Sequence, residues 1–156
     1  MKTILIQIGK TVDKHFQTII TDYVERIGHY MPFEVITIPE LKNTKSLSAD
    51  QQKEREAESL LKLLQSSDTV VLLDERGKEY RSVEFASWLE RQQQSTRRLV
   101  FVIGGPYGFA QSVYSRANQM ISLSKMTFSH QMIRMTFCEQ IYRACTILRG
   151  EPYHHE

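Results

Sequence analysis

Three short runs in this chain are apolar at most positions. They are KTILIQIG at residues 2–9, TVVLLD at 69–74 and RLVFVI at 98–103. A strand with alternating apolar residues buries one face, whereas a continuous apolar run is typical of a parallel-sheet strand that is buried on both faces. Such a sheet needs helices on each side. The runs therefore restrict the chain to an α/β fold.

The segments between these runs have the three- and four-residue apolar spacing of helices. Further strands are predicted where the apolar pattern alternates or is short. The residues ERGK (75–78) are expected to turn the chain after the third apolar run. The pattern predicts helices at about 12–27, 82–94 and 131–149. Another helix begins at a cap formed by Ser48 or Asp50 and ends at about 64, and a short one follows the glycine-rich segment and ends at about 118. Further strands are predicted at 32–39 and 120–124.

The whole chain, residues 1–156, is therefore expected to be one α/β domain with a mostly parallel sheet and helices on both faces. No apolar run approaches the roughly 20 residues that a membrane helix needs. No small-residue cleavage site follows the first strand, so a cytoplasmic protein without a membrane partner is expected. Cys138 and Cys145 are seven residues apart in a helical pattern, which places them about 10 Å apart. That distance is too long for a disulfide. Two thiols without nearby partners do not form a zinc site, so no metal is expected.

Positive charge is concentrated near the C-terminus. Residues 1–96 contain 13 Lys and Arg against 15 Asp and Glu, whereas residues 97–156 contain 7 against 3. A polyanion such as RNA would dock on this C-terminal part. An arbitrary division of a nearly neutral chain explains the same numbers.

The last predicted helix is apolar on two sides. One stripe includes Ile133, Phe137 and Ile141, and the other includes Cys138 and Tyr142. A helix that is apolar on two sides packs on two sides. In so short a chain, we expect the second side to contact another copy in a homodimer.

Three strand ends have unusual sequences: LLD before ERGK, VIGGPYG, and SLSKMTF. Ligands of parallel sheets bind beyond the carboxyl ends of the strands, so these three segments are predicted to form one pocket. GGPYG does not fit the dinucleotide pattern G-x-G-x-x-G, and the chain contains neither a P-loop nor a G-x-S-x-G motif. A tight turn explains GGPYG alone as well as a ligand does.

Five motifs occur together and in order: LDERGK, FVIGGPYGF, SLSKMTFSHQMIR, EQIYRA and RGEPYHHE. With them, the chain resembles the RlmH family of bacterial SPOUT-class methyltransferases from ILIQIGK near its start to its last residues. One departure is Ser129, where many relatives have proline.

The resemblance implies an α/β domain whose C-terminal part is threaded into a trefoil knot, which general rules of chain connection disfavour. It implies a homodimer that uses S-adenosylmethionine and methylates N3 of a pseudouridine in 23S rRNA within the assembled ribosome. Carried onto this chain, the cofactor residues are Leu73, Gly104, Leu123, Ser124, Lys125, Met126, Thr127 and Phe128.

The catalytic candidates are His130, Arg134, Arg143, Tyr153 and His154. Methylation at N3 releases a proton, so a base or an anion-stabilising cation is expected near the acceptor. His130 is equally explained as a surface or capping histidine, and Arg143 as the partner of Glu139 in a salt bridge. A frayed tail is the alternative for EPYHHE, but its resemblance to the family's ending favours substrate contact, with Tyr153 stacking on a base and His154 nearby.

From the residues alone, two other classes of protein remain as alternatives. A Rossmann-like nucleotide enzyme needs an acidic ribose ligand or a phosphate loop, and the chain has neither pattern. A non-catalytic RNA-binding module explains the basic C-terminal part but leaves the three-segment pocket without a purpose.

Overall fold

Five strands form a single sheet in which every pairing is parallel. The computed structural model describes all residues, 1–156. The strands lie side by side in the order β2-β1-β4-β3-β5. The strands are β1 (Lys2–Ile8), β2 (Phe33–Ile38), β3 (Thr69–Lys78), β4 (Arg98–Ile103) and β5 (Gln119–Ile121), and the helices are α1 (Lys14–Gly28), α2 (Ala49–Leu63), α3 (Ser82–Ser95), α4 (Gln111–Arg116) and α5 (Met132–Leu148).

Helices cover both faces of the sheet, which confirms the predicted fold class. Leu99 and Phe101 of β4 belong to the core formed with α1, α3 and α5. Val100 and Val102 point to the other face, where α2 and α4 pack. The central strands are thus buried on both sides, as their continuous apolar sequences predict. None of the helices combines the length and apolarity that crossing a bilayer requires.

Helix α5 packs between α1 and α3 on the same face of the sheet. The middle of the helix is therefore enclosed within the chain, and both Cys138 and Cys145 are buried. Burial raises the pKa of the Cys138 thiol to about 12 and that of Cys145 to about 11. Met132 is still 41% exposed, and Ile133, Met135 and Tyr142 are only half-buried, so a second subunit against α5 stays a prediction.

The two main helix starts follow from capping side chains. The Asp13 carboxylate accepts hydrogen bonds from the backbone N–H groups of His15 and Phe16, so α1 begins at Lys14 rather than at residue 12. Ser48 forms a reciprocal capping box with Gln51, so Ser48 and not Asp50 caps α2. Both starts agree with the preference of Asp and Ser for the N-cap position.

The prediction of a turn at ERGK was wrong. Strand β3 continues through residues 75–78 after a register shift, and Ile121 pairs with both Leu73 and Lys78. A Cβ atom on Gly77 would lie 2.6 Å from the backbone N of Ile121, so only glycine lets the two chains come this close. The extension also ends β5 at Ile121, leaving residues 122–124 in a loop instead of the predicted strand.

Replacing Gly77 with alanine is expected to destabilise the fold. The added methyl group meets backbone atoms that cannot rotate away, and such overpacking costs on the order of 3 kcal/mol. Chemical denaturation measures this loss in the free energy of unfolding. Gly28→Ala is the matched control, because nothing lies within 4 Å of a Cβ there. An unchanged midpoint for Gly77→Ala would contradict the close approach of β3 to β5.

Candidate functional site

The carboxyl ends of β3, β4 and β5 border one pocket of about 700 Å³. Its lining comes mainly from residues 73–76, 103–109 and 122–130, with Tyr114 and Ile133 completing the wall. The three segments meet because β4, β3 and β5 are neighbours in the parallel sheet and end at the same edge. The structure therefore brings together the strand ends that the sequence analysis selected.

Seven of the eight predicted cofactor residues line this pocket. Lys125 is the exception: its side chain is 86% exposed, and its Nζ atom lies 3.8 Å from Glu79 Oε1. Leu73, Leu123 and Phe128 are partly buried, whereas Met126 is 80% exposed. The pocket thus has an apolar floor and an open mouth.

Serine hydroxyls shape the third segment of the pocket. Ser122 Oγ donates to the carbonyl of Ser124 at 2.8 Å, and Ser124 Oγ accepts from the Met126 N–H at 3.0 Å. Ser129 Oγ accepts from the Met132 N–H at 3.0 Å at the start of α5. Ser129 thus satisfies a helix-end donor.

The glycine segment is tightly folded. The Gly108 N–H donates to the Gly105 carbonyl at 3.1 Å. A Cβ atom on Gly104 would lie 3.1 Å from the ring of Phe109, and one on Gly105 would lie 2.7 Å from the Glu56 carboxylate. Their segment was predicted to border the pocket, with a tight turn as the alternative explanation of GGPYG. A side chain added at either glycine would project towards Phe109 or Glu56, whereas the backbone of both glycines lines the pocket.

An ionic cluster at the rim of the pocket was missed by the sequence analysis. Asp74 accepts hydrogen bonds from the Tyr114 hydroxyl and the Arg76 side chain, and Arg76 also donates to the Tyr114 oxygen. Burial tends to raise the pKa of Asp74, but these hydrogen bonds bring the pKa below its ordinary value. Asp74 at the end of LLD and the nearby Arg76 were the only sequence signals of this cluster. Tyr114 could not be assigned to it from the sequence, because it is 40 residues from Asp74 in the chain.

Two side chains at the start of α5 hold the segment after β1. Arg134 is 1% exposed and donates to the carbonyls of Ile8 and Gly9 at 2.8 and 2.9 Å. Gln131 accepts from the Val12 N–H and donates to the Lys10 carbonyl. Arg134 was a candidate for an RNA contact, but in this structure its guanidinium is enclosed and bound to backbone.

The C-terminal tail is packed against its own chain. The Tyr153 hydroxyl donates to Glu139 at 2.9 Å, and Arg143 donates to Glu139 at 2.7 Å. Arg143 also lies 3.0 Å from His154 Nδ1, to which it donates. The Tyr153 ring meets Tyr142 edge-on, with 4.8 Å between centroids. The alternative of a frayed tail does not fit, because these contacts hold residues 153 and 154 in place.

The tail network is remote from the pocket of the same chain. Arg143, Tyr153 and His154 are absent from the pocket lining, whereas His130 is part of it. Arg143 is 11 residues beyond the first residue of α5, which is about 16 Å along the helix axis at 1.5 Å per residue. The structure thus brings only one of the five catalytic candidates to the pocket surface.

Comparison with known proteins agrees with this architecture. A family model described as "Predicted SPOUT methyltransferase" matches residues 1–154. A Bacteroides fragilis protein named "Ribosomal RNA large subunit methyltransferase H" is 62% identical over the full length of both chains. The chain belongs to the RlmH family of SPOUT methyltransferases.

Other relatives extend the same similarity. Proteins with the same name from Phocaeicola vulgatus and Porphyromonas gingivalis are 62% and 52% identical, again over the full length of both chains. The methyltransferase class predicted from the motifs is confirmed.

Arg134→Ala is expected to destabilise the protein more than the same substitution does at an exposed arginine. The change leaves the Ile8 and Gly9 carbonyls without their donors, and losing hydrogen bonds to a buried charged group costs on the order of 3 kcal/mol. Urea denaturation measures this difference, with the exposed Arg55→Ala on α2 as the control. Equal stability of the two variants would show that Arg134 does not anchor the segment after β1.

Proposed function

We propose that this chain transfers a methyl group from S-adenosylmethionine to N3 of a pseudouridine in 23S rRNA of the assembled ribosome. The observation that carries the proposal is the pocket at the ends of β3, β4 and β5, lined by seven of the eight residues that the RlmH resemblance assigns to the cofactor. The names of the relatives, which are large-subunit rRNA methyltransferases, support rRNA as the substrate.

The pocket suits the chemical parts of S-adenosylmethionine. Leu73, Leu123 and Phe128 offer an apolar slot for a flat base. The backbone N–H groups of Thr127 and Phe128 have no partner within the chain and can hydrogen-bond the edge of such a base. The bound cofactor would supply an electrophilic methyl group on a sulfonium. The carboxylate of Asp74 at the rim is a suitable neighbour for that positive charge.

The protein's main task in such a reaction is positioning. Methyl transfer is an in-line displacement, so donor and acceptor must be held at a fixed distance and angle. His130 lines the pocket and is the one catalytic candidate placed to accept the N3 proton or to contact the target base. Arg134 supports it indirectly by anchoring the first turn of α5, four residues further along the chain.

The position of the tail supports a homodimer with shared sites. Arg143, Tyr153 and His154 lie outside the pocket of their own chain, so they would reach a pocket only in a second copy. Val12, Met126 and Met132 are 73%, 80% and 41% exposed, and they offer an apolar surface beside the pocket mouth. In the proposed dimer, a partner covers this surface and supplies its tail residues to the neighbouring pocket.

Family membership supports two further parts of the proposal. SPOUT-class resemblance implies that the C-terminal part of the chain is threaded into a trefoil knot. The same resemblance implies action in the cytoplasm, where ribosomes assemble. Both belong to the proposal together with the homodimer.

The first test is calorimetric titration with S-adenosylmethionine, using NADH and FMN as comparators. Binding of the sulfonium cofactor alone is expected. Gly104→Val should weaken it by at least about tenfold, roughly 1.4 kcal/mol, because the new side chain presses on Phe109 in the pocket wall. Gly28→Ala should bind normally, and circular dichroism checks that each variant is folded. Preferential binding of NADH or FMN would overturn the proposal.

The second test uses mixed dimers. One chain carries Gly104→Val, and the other carries Tyr153→Ala with His154→Ala. If each site combines the pocket of one chain with the tail of its partner, the mixed dimer has one intact site and about half of the wild-type methylation of ribosomes lacking the modification. Each variant alone should be inactive. A mixed dimer as inactive as its parents would contradict shared sites.

A further inference from the structure

Glu56 is a buried acid on the side of α2 that faces the sheet. Its exposure is only 5%, although α2 is otherwise a highly charged, solvated helix. Its Oε1 atom is enclosed and has no hydrogen-bond partner. An acidic residue beside Ala57 and Leu60 on the buried face of this helix is unexpected. Glutamate is almost never fully buried unless it is paired, which calls for an explanation.

The Glu56 carboxyl group lies directly against the glycine segment of the pocket. A Cβ atom on Gly105 would be 2.7 Å from Oε2 and 2.8 Å from Oε1. No side chain other than hydrogen fits between them, so the backbone of Gly105 rests on the carboxyl group. Gly105 lines the pocket with its other side.

The surroundings of Glu56 are almost entirely apolar. The small space beside it is bordered by Ile8, Leu60, Phe109 and Val113, among others. Lys53 is the only other charged side chain on that border, and its Nζ atom lies 3.4 Å from Asp50 rather than pairing with Glu56. Glu56 therefore has no ion-pair partner to offset the cost of burying a negative charge.

Burial without a partner favours the neutral acid. It raises the pKa of Glu56 above its ordinary value, and the neighbouring Gln52 side chain opposes this only in part. In the unfolded chain, the same carboxyl group ionises at its ordinary pKa. The stabilising contribution of the neutral form is therefore fully present in acid and is lost as the pH rises through the raised pKa.

We propose that Glu56 is a positioning residue for the cofactor segment, holding residues 104–108 in their pocket-lining shape by supporting Gly105 from the side opposite the pocket. The neutral carboxyl group fills the gap under the glycine backbone. An ionised group would draw in water or move out of its apolar surroundings, and the segment would loosen. This inference rests on the proposed function only where it concerns S-adenosylmethionine, because the contact itself is made within the protein.

The test compares Glu56→Gln and Glu56→Ala with Glu58→Gln, an exposed acid on the same helix. Amide hydrogen exchange of residues 104–109 is measured without ligand over a pH series that begins near the ordinary glutamate pKa of about 4.3 and extends to about pH 9. The affinity for S-adenosylmethionine is measured by calorimetry under the same conditions.

Because amide exchange is base-catalysed, it is compared as protection relative to the intrinsic rate at each pH. In the wild type, the protection of this segment should fall and binding should weaken as the pH rises. Glu56→Gln, which keeps the shape but cannot ionise, should show neither change. Glu56→Ala should lose protection throughout the series and bind about tenfold more weakly, roughly 1.4 kcal/mol. Glu58→Gln should follow the wild type.

Two results would overturn the inference. In the first, Glu56→Ala raises amide exchange evenly over the whole chain, which would make Glu56 an ordinary packing residue of α2. The other is an identical pH dependence in the wild type and Glu56→Gln. If the wild type bound no S-adenosylmethionine at all, the proposed function would fail, while the exchange measurements would still decide the role of Glu56.

Discussion

The parallel pairing of all five strands is the constraint on which the rest of this structure depends. Parallel strands end at the same edge of a sheet, so the segments after β3, β4 and β5 must meet there. The same pairing leaves both faces of the sheet apolar, which obliges the chain to place α1, α3 and α5 on one face and α2 and α4 on the other. The pocket and the two-sided core are therefore consequences of one arrangement of backbone hydrogen bonds.

Each of the two cores, one on either face of the sheet, contacts the pocket wall through a different helix. On one face, α5 begins beside the pocket and is fixed to the end of β1 by Arg134 and Gln131. On the other face, α2 carries Glu56 to the back of the glycine segment. The pocket wall is thus held from both faces of the sheet by buried polar side chains. A buried polar side chain fixes the position of the pocket wall more strictly than apolar packing does, because losing its contact leaves a polar group buried without a partner.

Much of this could be predicted from local sequence. The continuous apolar runs, the Ser48 cap and the three unusual strand ends lead to the sheet, the helices and the pocket edge, because each depends on neighbouring residues. The continuation of β3 through ERGK could not be predicted, since it depends on Gly77 meeting a backbone more than 40 residues away. The roles of Arg134 and Glu56 were hidden for the same reason. Each is a charged residue on a helix, a pattern that normally indicates a solvated face.

The central claim is that the ends of β3, β4 and β5 form the cofactor site of each chain. The most direct measurement is to follow backbone amide NMR shifts of the labelled protein during titration with S-adenosylmethionine. The account predicts that the largest shifts fall at residues 73–76, 103–109 and 122–130. Large shifts confined to other residues, such as the outer face of α2, with these three segments unaffected, would contradict it.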